Sequence, residues 1–267
     1  MTPGYAKPRS ELPWLPYWTQ DKVFVINSHN FGGPAAFDPS VNGKMPIAAW
    51  IPSRDDAGNG TTTLNDLVAS FDMTLTNMDA ASDWPADTDA GGVRAIDTDG
   101  SNDYCLNSSA FSCFTTGVWS VSCWIFRRGG DYFLNFGASA GFSQYIGCFV
   151  NGTTLQFNLV GASQGVLVVQ AGTISNTTWT HLAFRMNASG FAVWVNGSLR
   201  ALAVVSGTNN QKTWSTNQLN RNAIGASVGS SAIAWFNGRH DDYRLFDVAI
   251  DATDVAALYA AQRGGQA

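Results

Sequence analysis

Residues 236–259 read FNGRHDDYRLFDVAIDATDVAALY, and the fold is decided by how this stretch is read. A glycine turn precedes two adjacent aspartates, Asp241 and Asp242, set inside an otherwise apolar, strand-like run. Tyr243, Leu245 and Asp247 alternate with Arg244, Phe246 and Val248, so Leu245 and Phe246 are expected on opposite faces of a sheet. A helix is expected to follow, with Asp251 as N-cap and Asp254 three residues on, both placing negative charge at the positive end of the helix dipole. Val255, Leu258 and Tyr259 form its apolar stripe, and Gly264-Gly265 is the expected stop. The unit is open to a catalytic, a binding or an architectural reading.

Working outward, the chain has 267 residues, 45% of them hydrophobic and 12% aromatic, enough for one large β domain with a sizeable core. Charged residues make up only 13%, about half the usual share of roughly 25%. Gly, Ser, Thr and Asn take their place, which suits short strands joined by tight turns. Residues 119–126, 155–159 and 166–169 read as strands, and 178–186 pairs with 191–195 as a hairpin. A second hairpin is expected at Asn196-Gly197, the dipeptide best suited to positive φ at both turn positions. The sum is an all-β sandwich or barrel with one short C-terminal helix.

The net charge of −5 and the lack of any Lys/Arg cluster beyond Arg127-Arg128 argue against a nucleic-acid partner. No apolar run reaches the roughly 18 residues a membrane helix needs, and residues 1–20 show no signal-peptide pattern. Cys105, Cys113, Cys123 and Cys148 fit no metal spacing and read as small buried hydrophobes, a Cys105–Cys113 disulfide being the minority view. Residues 1–45 hold six of the nine prolines together with Trp14, Tyr17 and Trp18. Such a segment has no core of its own, so it reads as an extended arm that packs on its own domain or docks on a partner; residues 46–267 form the domain proper.

Four ordered segments carry a family resemblance: WIPSRDDAGNGTTTLNDL (50–67), AIDTDGSNDY (95–104), WTHLAFRMNASGFAVWVNG (179–197) and residues 224–259 ending in the stretch quoted first. Together they resemble the laminin-G-like, or concanavalin A-like, jelly-roll superfamily over about residues 46–262. The resemblance implies a two-sheet antiparallel jelly-roll sandwich whose first and last strands meet near the two Asp-rich segments. It also implies a choice of roles: glycan binding, adhesion, virion surface structure or, in some branches, glycoside hydrolysis. Fold alone does not choose among them.

Glycoside hydrolysis needs two carboxyl groups about 5 to 5.5 Å apart for retention, or wider for inversion. The chain has one glutamate, Glu11, and no strand carries closely spaced aspartates amid aromatics. His181 reads as a strand residue bonded to its neighbours, while His240 abuts the aspartates. No Ser or Cys sits in a Gly-x-Ser-x-Gly turn, so no catalytic residue is assigned. Calcium is the metal candidate, since it takes six to eight oxygens. Asp99, Asn102, Asp103, Asp241 and Asp242 would supply them from segments the resemblance brings together, pairing of the aspartates with Arg94, Arg239 or Arg244 being the alternative. For glycans, Tyr145, Trp214 and Trp235 read as loop aromatics, whereas Trp50, Trp124, Trp179 and Trp194 read as core. The expected function is a non-catalytic structural or attachment protein at a virion surface or outside the cell, its arm anchored to virion subunits. The alternative is a carbohydrate-binding module of an exported bacterial protein.

Overall fold

The computed structural model describes residues 38–55, 60–79, 81–84, 94–139, 141–161, 163–216 and 218–261. The arm residues Trp14, Tyr17 and Trp18 lie outside the described residues, as does the expected stop at Gly264-Gly265. The larger unit of the chain begins at Pro39, seven residues before the start read from composition. The early strands are β1 (Ala48–Trp50), β2 (Thr63–Leu64), β3 (Met73–Thr76), β4 (Ile96–Asp99) and β5 (Tyr104–Asn107), followed by a one-turn helix α1 (Cys113–Thr116). The central strands are β6 (Trp119–Gly130), β7 (Tyr132–Ala138), β8 (Gly141–Asn151), β9 (Thr154–Val160) and β10 (Leu167–Thr173). Then come β11 (Trp179–Asn187), β12 (Gly190–Val195), β13 (Ser198–Leu199), β14 (Ala203–Gly207), β15 (Arg221–Ile224), β16 (Ser227–Val228) and β17 (Ala232–Ile233). The chain closes with β18 (Phe236–Phe246) and helix α2 (Ala252–Ala260).

Two large antiparallel sheets result, with β16 and β17 forming a separate two-stranded pair. One runs β1-β18-β6-β11-β12-β13, with β4 also paired to β18; the other has nine strands ordered β14-β10-β9-β8-β7-β15-β5-β3-β2. Period-2 alternation fills the space between them. Val121, Cys123 and Ile125 of β6 and Leu182 and Phe184 of β11 meet Ile146, Cys148 and Val150 of β8 and Leu155, Phe157 and Leu159 of β9 in one cluster. The cysteines are free and buried, so the Cys105–Cys113 disulfide is not formed. Among the described residues no helix is long and apolar enough to cross a membrane.

The opening stretch behaves as its pattern implies at both ends. Leu245 joins the inter-sheet core, while Phe246 points outward into a second cluster with Trp194, Ile250, Val255 and Leu258, under α2. Asp251 caps α2, accepting from Thr253 N and Asp254 N, and the Asp254 carboxylate accepts from Asp251 N. A capping box of this kind satisfies helix-end donors that would otherwise be orphaned. Asp254 also pairs with Lys44 and accepts from Asn42 Nδ2 at 3.0 Å. Val41 packs into the same outer cluster, so residues 39–45 belong to the domain rather than to the arm. The hairpin turn at Asn196 (φ 50°) and Gly197 (φ 76°) joins β12 to β13 as expected.

Candidate functional site

The paired aspartates mark a β-bulge. On one side of β18, β4 pairs with Asn237–His240 and β1 with Tyr243–Leu245. The handover falls at Asp241 and Asp242, where the register against β6 also shifts. Asp242 sits at φ 53°, a left-handed conformation that aspartate tolerates better than most residues. Its carboxylate makes a two-point pair with Arg244, Nε to Oδ1 at 2.6 Å and Nη2 to Oδ2 at 2.9 Å, and both side chains are only 4% exposed. Asp241 Oδ1 accepts from Ser53 N at 3.2 Å and from Asp242 N at 2.9 Å. These carboxylates hold the strand crossing together.

The five oxygen donors proposed for calcium do not form one set. Asp99 is opposite Asn237, four residues from Asp241 along β18, a rise of roughly 13 Å. Asp99 Oδ1 instead accepts from Ser101 N at 2.6 Å, and Asp103 Oδ2 accepts from Asp99 N at 3.0 Å, closing their own turn. The Asn102 carbonyl accepts from Asn77 Nδ2 at 3.1 Å. Among the described residues no group of three or more His, Cys, Asp or Glu is placed to hold a metal ion. Short-range turn chemistry and the Arg244 pair account for these carboxylates instead.

The two described histidines, His181 and His240, are buried. His240 meets Tyr243 Oη through Nδ1 at 2.8 Å and Thr98 Oγ1 through Nε2 at 3.1 Å, rather than the aspartates it abuts in the chain. His181 Nε2 meets Ser122 Oγ at 2.9 Å, as its strand position implied. Burial pushes both imidazoles down from 6.5 to about 3, while burial, with the nearby Asp99 charge, pushes the Asp103 carboxyl up from 3.8 to about 6. Between about pH 5 and 6.5 the unfolded chain therefore binds two more protons on the histidines, and the folded chain one more on Asp103. The net proton favours the unfolded state, so stability should rise with pH across that window. His240→Asn is expected to flatten the slope, because one histidine then offsets Asp103. Urea midpoints at several pH values check this; an unchanged slope in the variant would contradict the assignment.

A surface of a different kind lies on the outer face of the nine-stranded sheet. The register aligns Tyr132, Phe149, Gln156 and Gln170 in one cross-strand row over β7–β10, and Gly147, Asn158 and Val168 in the next. Tyr145, opposite Gly137 and Val160, starts a third. Tyr132 and Phe149 stack with ring centroids 4.6 Å apart and an interplanar angle of 19°. Gly147 lies beneath the rings: a Cβ there would come 2.7 Å from Tyr132 Cε1 and 3.0 Å from Tyr145 Cε2. Burial, with the neighbouring Tyr145 hydroxyl, raises the Tyr132 phenol above its usual value.

Beside the rings runs an amide relay. Gln170 Nε2 donates to Gln156 Oε1 at 3.3 Å, and Gln156 Nε2 donates to Asn158 Oδ1 at 3.0 Å. Among the described residues no further hydrogen bond engages the Asn158 amide nitrogen or the Gln170 side-chain carbonyl oxygen at its two ends. The β16–β17 hairpin walls one side, tied down by Val228 N donating to Asn135 Oδ1 at 3.2 Å. Tyr132 and Tyr145 are half-buried and Phe149 is buried at 9% exposure; partly accessible tyrosine rings next to amides that both donate and accept are suited to a polyhydroxylated ligand. None of the residues aligned in these rows is an Asp or Glu.

Of the three aromatics read as glycan contacts, Tyr145 is part of this platform, on a strand rather than a loop. Trp214 is 2% exposed, lies in the inter-sheet core and donates from Nε1 to the Val160 carbonyl at 3.0 Å. Its loop folds inward because Phe114 packs edge-on against it. Trp235 is half-buried over Ala223, Ala226 and Val228 on the same outer face. Trp50, Trp124 and Trp194 are buried as expected, but Trp179 is half-buried against Phe126. Tyr132, Phe149, Gln156, Asn158 and Gln170 were missed. Alternation of Gln156 and Asn158 with Leu155, Phe157 and Leu159 was the available signal.

A family model described as the concanavalin A-like lectin/glucanases superfamily matches residues 98–256. Similar solved structures include the CBM40 of a Ruminococcus gnavus IT-sialidase bound to α2,3-sialyllactose, at 10% identity and TM-score 0.50, covering 62% of this chain and 96% of that one. A Trypanosoma rangeli sialidase aligns at 13% identity and TM-score 0.54, over 86% of this chain and 36% of the sialidase. The botulinum neurotoxin type G receptor binding domain aligns at 13% identity and TM-score 0.53, over 81% of this chain and 51% of that one. At such identities the likeness is one of fold. Comparison with curated proteins found no match.

Proposed function

We infer that this chain, which belongs to the concanavalin A-like lectin/glucanases superfamily, is a non-catalytic glycan-binding attachment domain that uses the Tyr132–Phe149–Tyr145 platform. The observation that carries the reading is the stacked ring pair over Gly147 next to the Gln170–Gln156–Asn158 relay. Sugar rings present an apolar face to such aromatics, and their hydroxyls need partners that donate and accept. The platform rows hold no Asp or Glu that could act as acid, base or nucleophile, which favours binding over hydrolysis.

A glycan array probed with the full chain tests this, with sialylated glycans included because the similar CBM40 was solved with α2,3-sialyllactose. Tyr145→Ala is expected to lower the affinity of any hit about 10-fold or more while leaving the melting temperature within a few degrees. Equal binding by the variant would move the site elsewhere. The finer setting, a virion subunit anchored through residues 1–45, rests on the composition of that segment alone. A chain starting at Pro39 that still assembles on its particle would remove the anchor.

A further inference from the structure

We propose that a hydroxyl-lined cleft at the end of the sandwich is a second ligand site, built for the oxyanion of a small acidic ligand and centred on Arg200. The cleft is lined by Thr173, Ser175, Thr178, Thr180, Asn196 and Arg200 above an apolar floor of Ile174 and Val195. It lies where the last turn of β10, from one sheet, faces β11 and the β12–β13 turn, from the other. None of its lining residues belongs to the platform, so the site does not depend on the glycan reading.

Most of the described arginines are engaged within the protein, although Arg221 Nε is buried without a hydrogen-bond partner. Arg94, Arg127, Arg128, Arg185, Arg239 and Arg244 all direct their guanidinium groups to carboxylate, amide or carbonyl oxygens of the protein. Arg200 is exposed, and among the described residues no hydrogen bond or ion pair engages its side chain. No Asp or Glu lines the cleft, although the chain carries a net charge of −5. A cation in an acid-free hollow keeps its full attraction for an external anion.

Asn196 is the lining amide with donors to spare. Asn196 Oδ1 is used by His181 N at 2.9 Å, which leaves the Asn196 amide N–H groups for a ligand. The left-handed turn at Asn196 (φ 50°) fixes that orientation. The hydroxyls of Thr173 and Ser175 sit on exposed residues at the rim, while those of Thr178 and Thr180 donate to the Asn176 and Thr178 carbonyls at 3.4 Å. The cleft measures about 120 Å³, room for several waters, and hence for a carboxylate or sulfate group with part of the ring that bears it.

Titration of the full chain with glucuronate, inorganic sulfate and glucose, followed by amide NMR shifts, tests the assignment. Both anions are expected to shift residues 173–180 and 196–200, with affinity falling as salt is raised, and glucose is expected to leave them unmoved. Arg200→Gln should weaken anion binding at least about tenfold at an unchanged melting temperature, since Arg200 is exposed. Binding of sulfate alone would assign a sulfated ligand, and binding of glucuronate alone a carboxylated one; either outcome keeps the oxyanion site. Retention of anion binding by the variant, equal shifts with glucose, or no shift with either anion would overturn it.

Discussion

Asp242→Ala is expected to destabilise the protein by about 3–5 kcal/mol, the usual cost of removing one partner from a buried ion pair. Arg244 would keep its bond to the Pro39 carbonyl at 3.0 Å but lose its counter-charge, in a position where its side chain is 4% exposed. Alanine would also have to adopt φ 53°, where aspartate is better tolerated. The damage falls where β18 changes partner from β4 to β1, so the edge that carries Ala48–Trp50 should loosen first. The double variant Asp242→Asn with Arg244→Met removes both charges while retaining a residue suited to the left-handed turn. It is expected to be more stable than Asp242→Ala, because no uncompensated charge is left inside. Urea unfolding of the three proteins decides it: a loss below about 1 kcal/mol for Asp242→Ala would show that the pair adds little.

Gly147→Ala is expected to abolish most glycan affinity while leaving the fold intact. Gly147 lies within β8 at an ordinary strand φ, so alanine meets no backbone strain there and lowers the entropy of the unfolded chain. The nearest atoms to the added methyl are outer ring atoms of Tyr132 and Tyr145, so these rings must shift, which disturbs the stack of Tyr132 on Phe149 while the strand backbone stays in place. A loss of about 2 kcal/mol, roughly 30-fold in affinity, is the scale for disrupting an aromatic anchor. The readout is paired: melting temperature for the fold and titration with the strongest array hit for the site. A folded Gly147→Ala protein that binds as well as wild type would remove the platform from the binding site.

The two substitutions differ in how visible their targets were beforehand. Adjacent aspartates are conspicuous in a chain with 13% charged residues, and their proximity to His240 suggests chemistry. Yet the residues they engage are Arg244 two positions on and Ser53 far upstream. Gly147 shows nothing in the linear chain. Its role exists because β7, β8 and β9 lie side by side in one particular register. Trp214 shows the converse: a tryptophan amid polar neighbours reads as exposed until Phe114 and the Val160 carbonyl are seen to claim it.

Features that depend on neighbours a few positions away were legible in the linear chain. The alternation that sends Leu245 inward and Phe246 outward, the Asp251–Asp254 capping box, the Asn196-Gly197 turn and the burial of the cysteines all belong here. Period-2 pleating, helix-end donors and left-handed turn residues act locally, so their signals survive in the linear text. Which polar groups satisfy one another, and which faces stay open, depends on how the strands come together in space. The separation of Asp99 from Asp241, the four-strand row from Tyr132 to Gln170 and the acid-free hollow around Arg200 all follow from strand order and register. Those are set by the burial of two whole sheet faces against each other, a cooperative choice among pairings that no short segment encodes alone.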